Sequence, residues 1–165
     1  MDTLYLVANG PAPTTAAQAT VTTGTAIKTM LQLATASTQS LYIAEWGISF
    51  DGSAAATPIK CELFGCTGAA TVTAYAAADV VKLTSPNDES AVVQLGTALS
   101  GYTASAEGTV ANARMFDAQL VAPTGQYVKQ FPLGREPRAA VSTFVRIRVT
   151  AAAAVNCYCY VVFGQ

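Results

Sequence analysis

The sequence predicts an all-β protein, a single antiparallel β-sandwich of jelly-roll-like type with an extended N-terminal arm. Three observations carry this expectation. Short runs of β-forming residues, several of them alternating, recur at fairly regular spacing. Clusters of Gly, Pro, Asn, Asp and Ser punctuate them, and helical periodicity is hard to find. Strands and turns without intervening helices describe two packed antiparallel sheets rather than βαβ units. At 165 residues, jelly rolls and related double-sheet folds are the natural class.

The N-terminal MDTLYLVANGPAP has an early acid and no basic segment, so it does not read as a signal peptide. Pro11 and Pro13 oppose a helix and favour an extended arm, so residues 1–23 are assigned to an arm and first strand, and 24–165 to the sandwich domain. Such an arm either lies along a neighbour or is a mobile tail. Val21 to Ala36 can place Ile27, Met30, Leu31 and Ala34 on a helical face, or Ile27, Thr29, Leu31 and Leu33 on one side of a strand. Its threonine density favours the strand.

LYIAEWGISFDGS, residues 41–53, sets Tyr42, Ala44, Trp46, Ile48 and Phe50 against Glu45, Gly47 and Ser49, and turns at Asp51-Gly52. Pro58 to Phe64 alternates and is expected to end at Gly65, and Ala70 to Tyr75 is a second short run. Asp79 to Glu89 reads as a long surface loop. Ala91 to Leu95 and Tyr102 to Ala106 flank a turn at Leu99-Ser100-Gly101. Arg114 to Ala122, Gln126 to Leu133 and Thr143 to Thr150 follow as strands, the second closed by Gly134. Val155 to Phe163 is apolar on both parities apart from Asn156 and is expected to be central. The total is eight to ten strands, with no internal repeat of 20 to 50 residues.

Hydrophobic residues make up 52% of the chain, much of it alanine, and charged residues only 12%, against roughly 25% in an ordinary soluble domain. So little charge leans towards a homo-oligomer, with part of the surface hidden on a partner. The net charge is −1 and the densest basic cluster, Arg135, Arg138, Arg146 and Arg148, includes Glu136. That is too few cations to neutralise a phosphate backbone, so no nucleic-acid partner is expected. No run approaches the ~18 apolar residues of a membrane helix, so no membrane association is expected either.

The chain contains no histidine, which removes the usual general base, the Ser-His-Asp and Cys-His arrangements and every His-containing metal site. No P-loop, GxGxxG, HExxH or EF-hand loop occurs. Neither catalytic, cofactor-binding nor metal-binding residues are assigned. Glu45, Glu62 and Asp117 are the acids expected on strands, either converging as a hydrolase pair or sitting on solvated or paired faces; the second reading is favoured. Cys61, Cys66, Cys157 and Cys159 lack the knuckle spacing of a zinc site, and buried free thiols are favoured over a disulfide. The tyrosines, Tyr5, Tyr42, Tyr75, Tyr102, Tyr127, Tyr158 and Tyr160, are spread over many strands, as a two-sheet core and its rims require, although a sugar platform would draw on the same residues.

FPLGREPRA, residues 131–139, is the most individual stretch. Two prolines and a glycine frame Arg135 and Glu136, a stiff loop with a charged tip, suited to an Arg-carboxylate contact across a subunit interface or else closed by a local ion pair. Leu4, Tyr5, Pro11, Pro13, Phe131, Pro132, Leu133, Arg135, Glu136 and Arg138 are the candidate interface residues.

TAIKTMLQLAT, EWGISFDGSAAATP, FDAQLVAPTGQYVKQFPLGREP and FVRIRVTAAAAVN resemble small structural proteins encoded beside tailed-bacteriophage capsid genes, read as head decoration (cement) proteins or minor virion components. The resemblance covers most of the chain from about Gly24 and rests on texture and phrases rather than a catalytic signature. It implies a β-sandwich or jelly roll forming a homotrimer or other symmetric cluster on the capsid exterior, bound to the major capsid protein. It implies no catalytic residues, and synthesis in the host cytoplasm. A terminal arm gripping the shell fits residues 2–13 by analogy. A different class of reading is a trimeric jelly-roll module of a phage fibre or spike that binds a receptor or carbohydrate.

Overall fold

Alternation and turn chemistry resolve into strands throughout the computed structural model, which describes residues 3–52 and 57–165. In chain order these are β1 (Leu4–Ala8), β2 (Val21–Thr22), β3 (Ile27–Thr35), β4 (Leu41–Asp51) and β5 (Ile59–Cys66). β6 (Thr71–Ala74), a single 3-10 turn (Ala77–Asp79), β7 (Val81–Lys82), β8 (Val93–Gln94) and β9 (Gly101–Ala106) follow. β10 (Arg114–Val121), β11 (Gln126–Gln130), β12 (Arg138–Ala139), β13 (Phe144–Thr150) and β14 (Asn156–Gly164) complete the chain.

The strands form two antiparallel sheets packed face to face, an all-β sandwich. The first runs β11-β4-β14-β1-β7, with β12 also on β4 and β2 also on β14. The second runs β10-β5-β13-β3-β9-β6, with β8 on β3. Among the longer strands, β1, β14, β4 and β11 in one sheet therefore stand beside β3, β13, β5 and β10 in the other. The connections β3–β4, β4–β5, β10–β11 and β13–β14 each pass from one sheet to the other.

Several expected boundaries move. Gly65 does not end its strand; it pairs with Arg114 on one side and Val145 on the other. The run from Gln126 stops at Gln130, three residues before Leu133. The expected loop from Asp79 contains β7, which pairs with β1. The count of eight to ten strands falls short, because two-residue strands such as β2, β8 and β12 are too brief to show a period. Within residues 1–23, Leu4–Ala8 is a strand held between β14 and β7, and the segment after Gly10 is the extended part. Asp51 of the turn expected at Asp51-Gly52 is the last residue of β4, and residues 53–56 after it lie outside the described residues.

The alternation in β4 is also corrected. The register against β14 slips between Glu45 and Ile43, leaving Ala44 as an extra residue. Leu41 and Ile43 point into the core before the slip, and Trp46, Ile48 and Phe50 after it. Tyr42, expected on the Trp46 face, consequently turns outward. One inserted residue exchanges the two faces of a strand because the side-chain period is two.

The core between the sheets takes Cys157, Cys159, Val161 and Phe163 from β14, Val145, Ile147 and Val149 from β13, and Trp46 at 0% exposure from β4. Each such large side chain contributes about 1.5–3 kcal/mol of transfer free energy. All four cysteines are free and buried. Burial pushes the Cys61 thiol up to about 12, with Cys157 and Glu62 adding to the effect. These thiols pack as small apolar groups.

β9 and β10 lie on opposite sides of the second sheet, so residues 107–113 must cross its outer face. Arg146, at 0% exposure, lies beneath this crossing. Its Nη2 donates to the Glu107 carboxylate at 2.6 Å and to Thr29 Oγ1 at 2.6 Å. Glu107 accepts in addition from Thr29 N–H at 2.5 Å and Thr29 Oγ1 at 2.7 Å. Phe64 lies under the guanidinium groups of both Arg146 (5.6 Å) and Arg148 (4.6 Å), and Arg148 donates to Glu62 at 2.9 Å.

Removing Glu107 would strand a buried cation. Glu107→Ala is expected to lower stability by about 3 kcal/mol, the low end for a broken buried pair, because the Glu107 side chain is still 28% exposed. Arg146→Leu with Glu107→Ala should recover part of that loss, read as the urea midpoint of each variant.

Candidate functional site

The stretch 131–138 is an excursion from the edge of β4. Phe131 N–H donates to Ala44 C=O at 2.9 Å and Ile43 N–H donates to Pro137 C=O at 3.0 Å, so the chain leaves and rejoins β4 around its extra residue. Between these ties Arg135 N–H closes a turn onto Pro132 C=O at 2.8 Å, with Gly134 at φ +81°. A positive φ at the third turn position is what glycine supplies without steric cost. The two prolines stiffen the base, and Leu133 stands at the tip, 96% exposed.

The flanks of this lobe are held by cations over rings. Lys129 Nζ lies 5.2 Å from the Phe131 ring centre, and the Arg138 guanidinium 5.6 Å from that of Tyr42. Arg114 Nη1 donates to Arg138 C=O at 3.4 Å, reaching across from the other sheet. Tyr42, Leu133, Gly134, Glu136 and Arg138 line a shallow open depression beside the tip. The local ion pair between Arg135 and Glu136 is not formed among the described residues.

The ten candidate interface residues do not form one surface. Phe131, Pro132, Leu133, Arg135, Glu136 and Arg138 share the lobe. Leu4 lies on the same lateral row, since it pairs with Gly164, which pairs with Tyr42, which pairs with Arg138. Tyr5 is 4% exposed, stacks on Phe163 with ring centres 5.4 Å apart, and belongs to the core. Pro11 and Pro13 follow the other end of β1, roughly 15 Å or more away along the strand direction, and both are exposed. Ala12 N–H ties that segment to Asp79 Oδ1 at 2.8 Å.

The basic cluster also separates. Arg135 and Arg138 stand at the first sheet, Arg146 and Arg148 on the second. The three strand-borne acids diverge likewise. Glu45 lies on the outer face of the first sheet, accepting from Gln130 Nε2 at 2.6 Å and from the Tyr160 hydroxyl. Glu62 faces outward on the second sheet with Arg148 and Lys60. Asp117 sits between the sheets. Paired faces, rather than a convergent carboxylate pair, is the arrangement they adopt.

Asp117 is the polar group that sequence reasoning missed as a structural centre. Its carboxylate accepts from Trp46 Nε1 at 3.1 Å, Tyr127 hydroxyl at 2.9 Å, Gln119 Nε2 at 3.3 Å and its neighbour Ala118 N–H at 3.0 Å. Lys129 Nζ lies 3.3 Å away. The donors come from β4, β10 and β11, so this group joins the two sheets along one side of the sandwich. Burial raises the Asp117 pKa, but the bonds from Tyr127, Gln119 and Trp46 and the charge of Lys129 outweigh it and hold the carboxyl below its ordinary value. The same contact works oppositely on Tyr127, pushed up to about 12 by burial and by the hydrogen bond to Asp117. The only available signal was a lone Asp in an alternating strand with a tryptophan elsewhere, which does not specify a partner.

No protein family, no curated protein and no solved structure matches the chain.

A carboxylate whose folded pKa is depressed contributes stability that is complete above the unfolded value, near 3.8 here, and is lost as pH falls through the folded value. Asp117→Asn is therefore expected to lower the urea midpoint at pH 7 and to flatten the acid limb of a stability–pH curve between about pH 5 and pH 2. An unchanged acid limb would show that Asp117 does not couple the sheets.

Proposed function

We propose that the protein is a structural component of a tailed-phage virion, a decoration or cement protein that binds the outside of the capsid and bridges capsomers as a symmetric oligomer, with the major capsid protein as its partner. The observation that carries this reading is the lobe at 132–137: a stiff, anchored projection that holds an apolar side chain, Leu133, almost wholly in water. A monomer gains nothing by exposing leucine on a rigid frame, whereas a contact residue gains its burial energy on docking. The sequence phrases quoted above support the same family, and the β1-β14-β4-β11 and β3-β13-β5-β10 order supports a jelly roll, two Greek keys wound together.

Met115 and Leu120, each more than half exposed, lie on the outer side of β10 and suit self-association into a trimer. In this reading one surface grips the shell and another joins the copies. Modest contacts then add, since release of one subunit leaves the others holding it near its site. Opening the shell would have to break all of them together.

Purified protein mixed with undecorated heads encoded by the same genome is expected to bind saturably and to show symmetric density by cryo-EM. Leu133→Asp should reduce head binding by about tenfold or more, the burial of one leucine, while the urea midpoint of the free protein stays unchanged. Wild-type protein that leaves the heads bare would defeat the proposal.

A further inference from the structure

Three of the seven tyrosines, scattered in sequence, gather on the outer face of the first sheet. β14 turns Tyr158 and Tyr160 outward because Cys157, Cys159 and Val161 face the core. The slip in β4 brings Tyr42 to the same side. Tyr160 stands opposite Gly47, and its ring lies over that glycine so closely that an added Cβ would collide with it. Tyr42 does the same over Gly164. Both rings lie over backbone, and that of Tyr42 also carries the Arg138 guanidinium 5.6 Å from its centre, so the stacking surface rests on Tyr160 and its neighbour on β14. Tyr158 extends the row, its ring centre 6.4 Å from that of Tyr160. A separation of that order suits successive sugars of one chain rather than a single sugar.

Polar groups flank the rings. Ser49 pairs with Tyr158, and Glu45 lies between Tyr160 and Tyr42 with Gln130 at its side. We propose that this face is a binding platform for a neutral oligosaccharide chain. The C–H faces of pyranose rings carry slight positive charge and stack on the negative faces of aromatic rings. Their hydroxyls are matched by the amide of Gln130, the hydroxyl of Ser49 and the lone pairs left on Glu45. A second protein surface would have to bury the Glu45 carboxylate against apolar groups at a desolvation cost, whereas a hydroxyl-rich ligand replaces the water it loses. The Glu45 carboxylate, which accepts from the Tyr160 hydroxyl, disfavours acidic sugars. This inference does not depend on the capsid reading.

Titration calorimetry on the intact protein with cellohexaose, maltohexaose, mannohexaose and, as the acidic comparison, hexagalacturonate tests it. Saturable binding of at least one neutral hexasaccharide, and weaker or no binding of hexagalacturonate, is expected. Tyr158→Ala should weaken binding about tenfold, and Tyr158→Trp should retain it. Gly47→Ala, which displaces the Tyr160 ring, should weaken it as well, with circular dichroism and native mass spectra reporting an unaltered fold and oligomeric state. Absence of binding by all three neutral probes at millimolar concentration overturns the proposal. So does equal binding by Tyr158→Ala, or an oligomer that dissociates in that variant, which would make the face a contact between copies.

Discussion

Burial of β14 between β4 and β1 is the interaction from which the first sheet is assembled, because every other long strand of that sheet reaches its place through it. Its register runs from Asn156 opposite Asp51 to Gly164 opposite Tyr42 on one side, and from Tyr160 to Gly164 against Ala8 to Leu4 on the other. β2 adds a second contact at Asn156 and Cys157. Asn9 reinforces the junction where β1 ends, its side-chain amide donating to Cys157 C=O at 2.9 Å and its oxygen accepting from Cys159 N–H at 3.0 Å. These partners are far apart in sequence, so the sheet closes only when β1 and β14 are both in place. Such long-range pairing is slow to form and costly to undo.

Two polar assemblies complement that apolar centre. Asp117 joins β10 to β4 and β11, and Glu107 with Arg146 fastens the crossing at 107–113 to the outer face of the second sheet. Each gives partners to buried polar atoms, with Arg146 Nη1 left without one among the described residues, and each ties segments that the backbone ladders leave unconnected. Among the described residues the buried charged side chains are Glu62, Asp117 and Arg146, and each is held by an ion pair.

The two outer faces are consequently different. The second sheet is overlaid by its own chain and by the Arg146–Phe64–Arg148 stack. The first sheet presents tyrosines seated on glycines, with Glu45 and Gln130 between them, and ends in the rigid lobe that displays Leu133. The slip at Ala44 contributes to both, turning Tyr42 outward and supplying the point at which the chain leaves and rejoins β4. One inserted residue thus shapes the exposed face and the projecting edge together.

The sequence by itself determined the class of fold, because period-two alternation and dense turn residues have no other economical reading. It also determined that β14 is central, since Val155 to Phe163 is mostly aromatic, β-branched or cysteine and apolar on both parities apart from Asn156. Legible too was the individuality of 131–139, from two prolines and a glycine around opposite charges. Tertiary structure alone decided which neighbours those elements meet. The slip at Ala44 is invisible in sequence because alanine fits either face. Tyr5 and Tyr42 are the same residue type near the start of their strands, yet one is core and the other surface, a difference set by register rather than composition. The pairing of Arg146 with Glu107, and of Asp117 with Trp46, joins residues far apart in the chain. Local pattern specifies which way a side chain points along its own strand; only the packing of two sheets specifies what it touches.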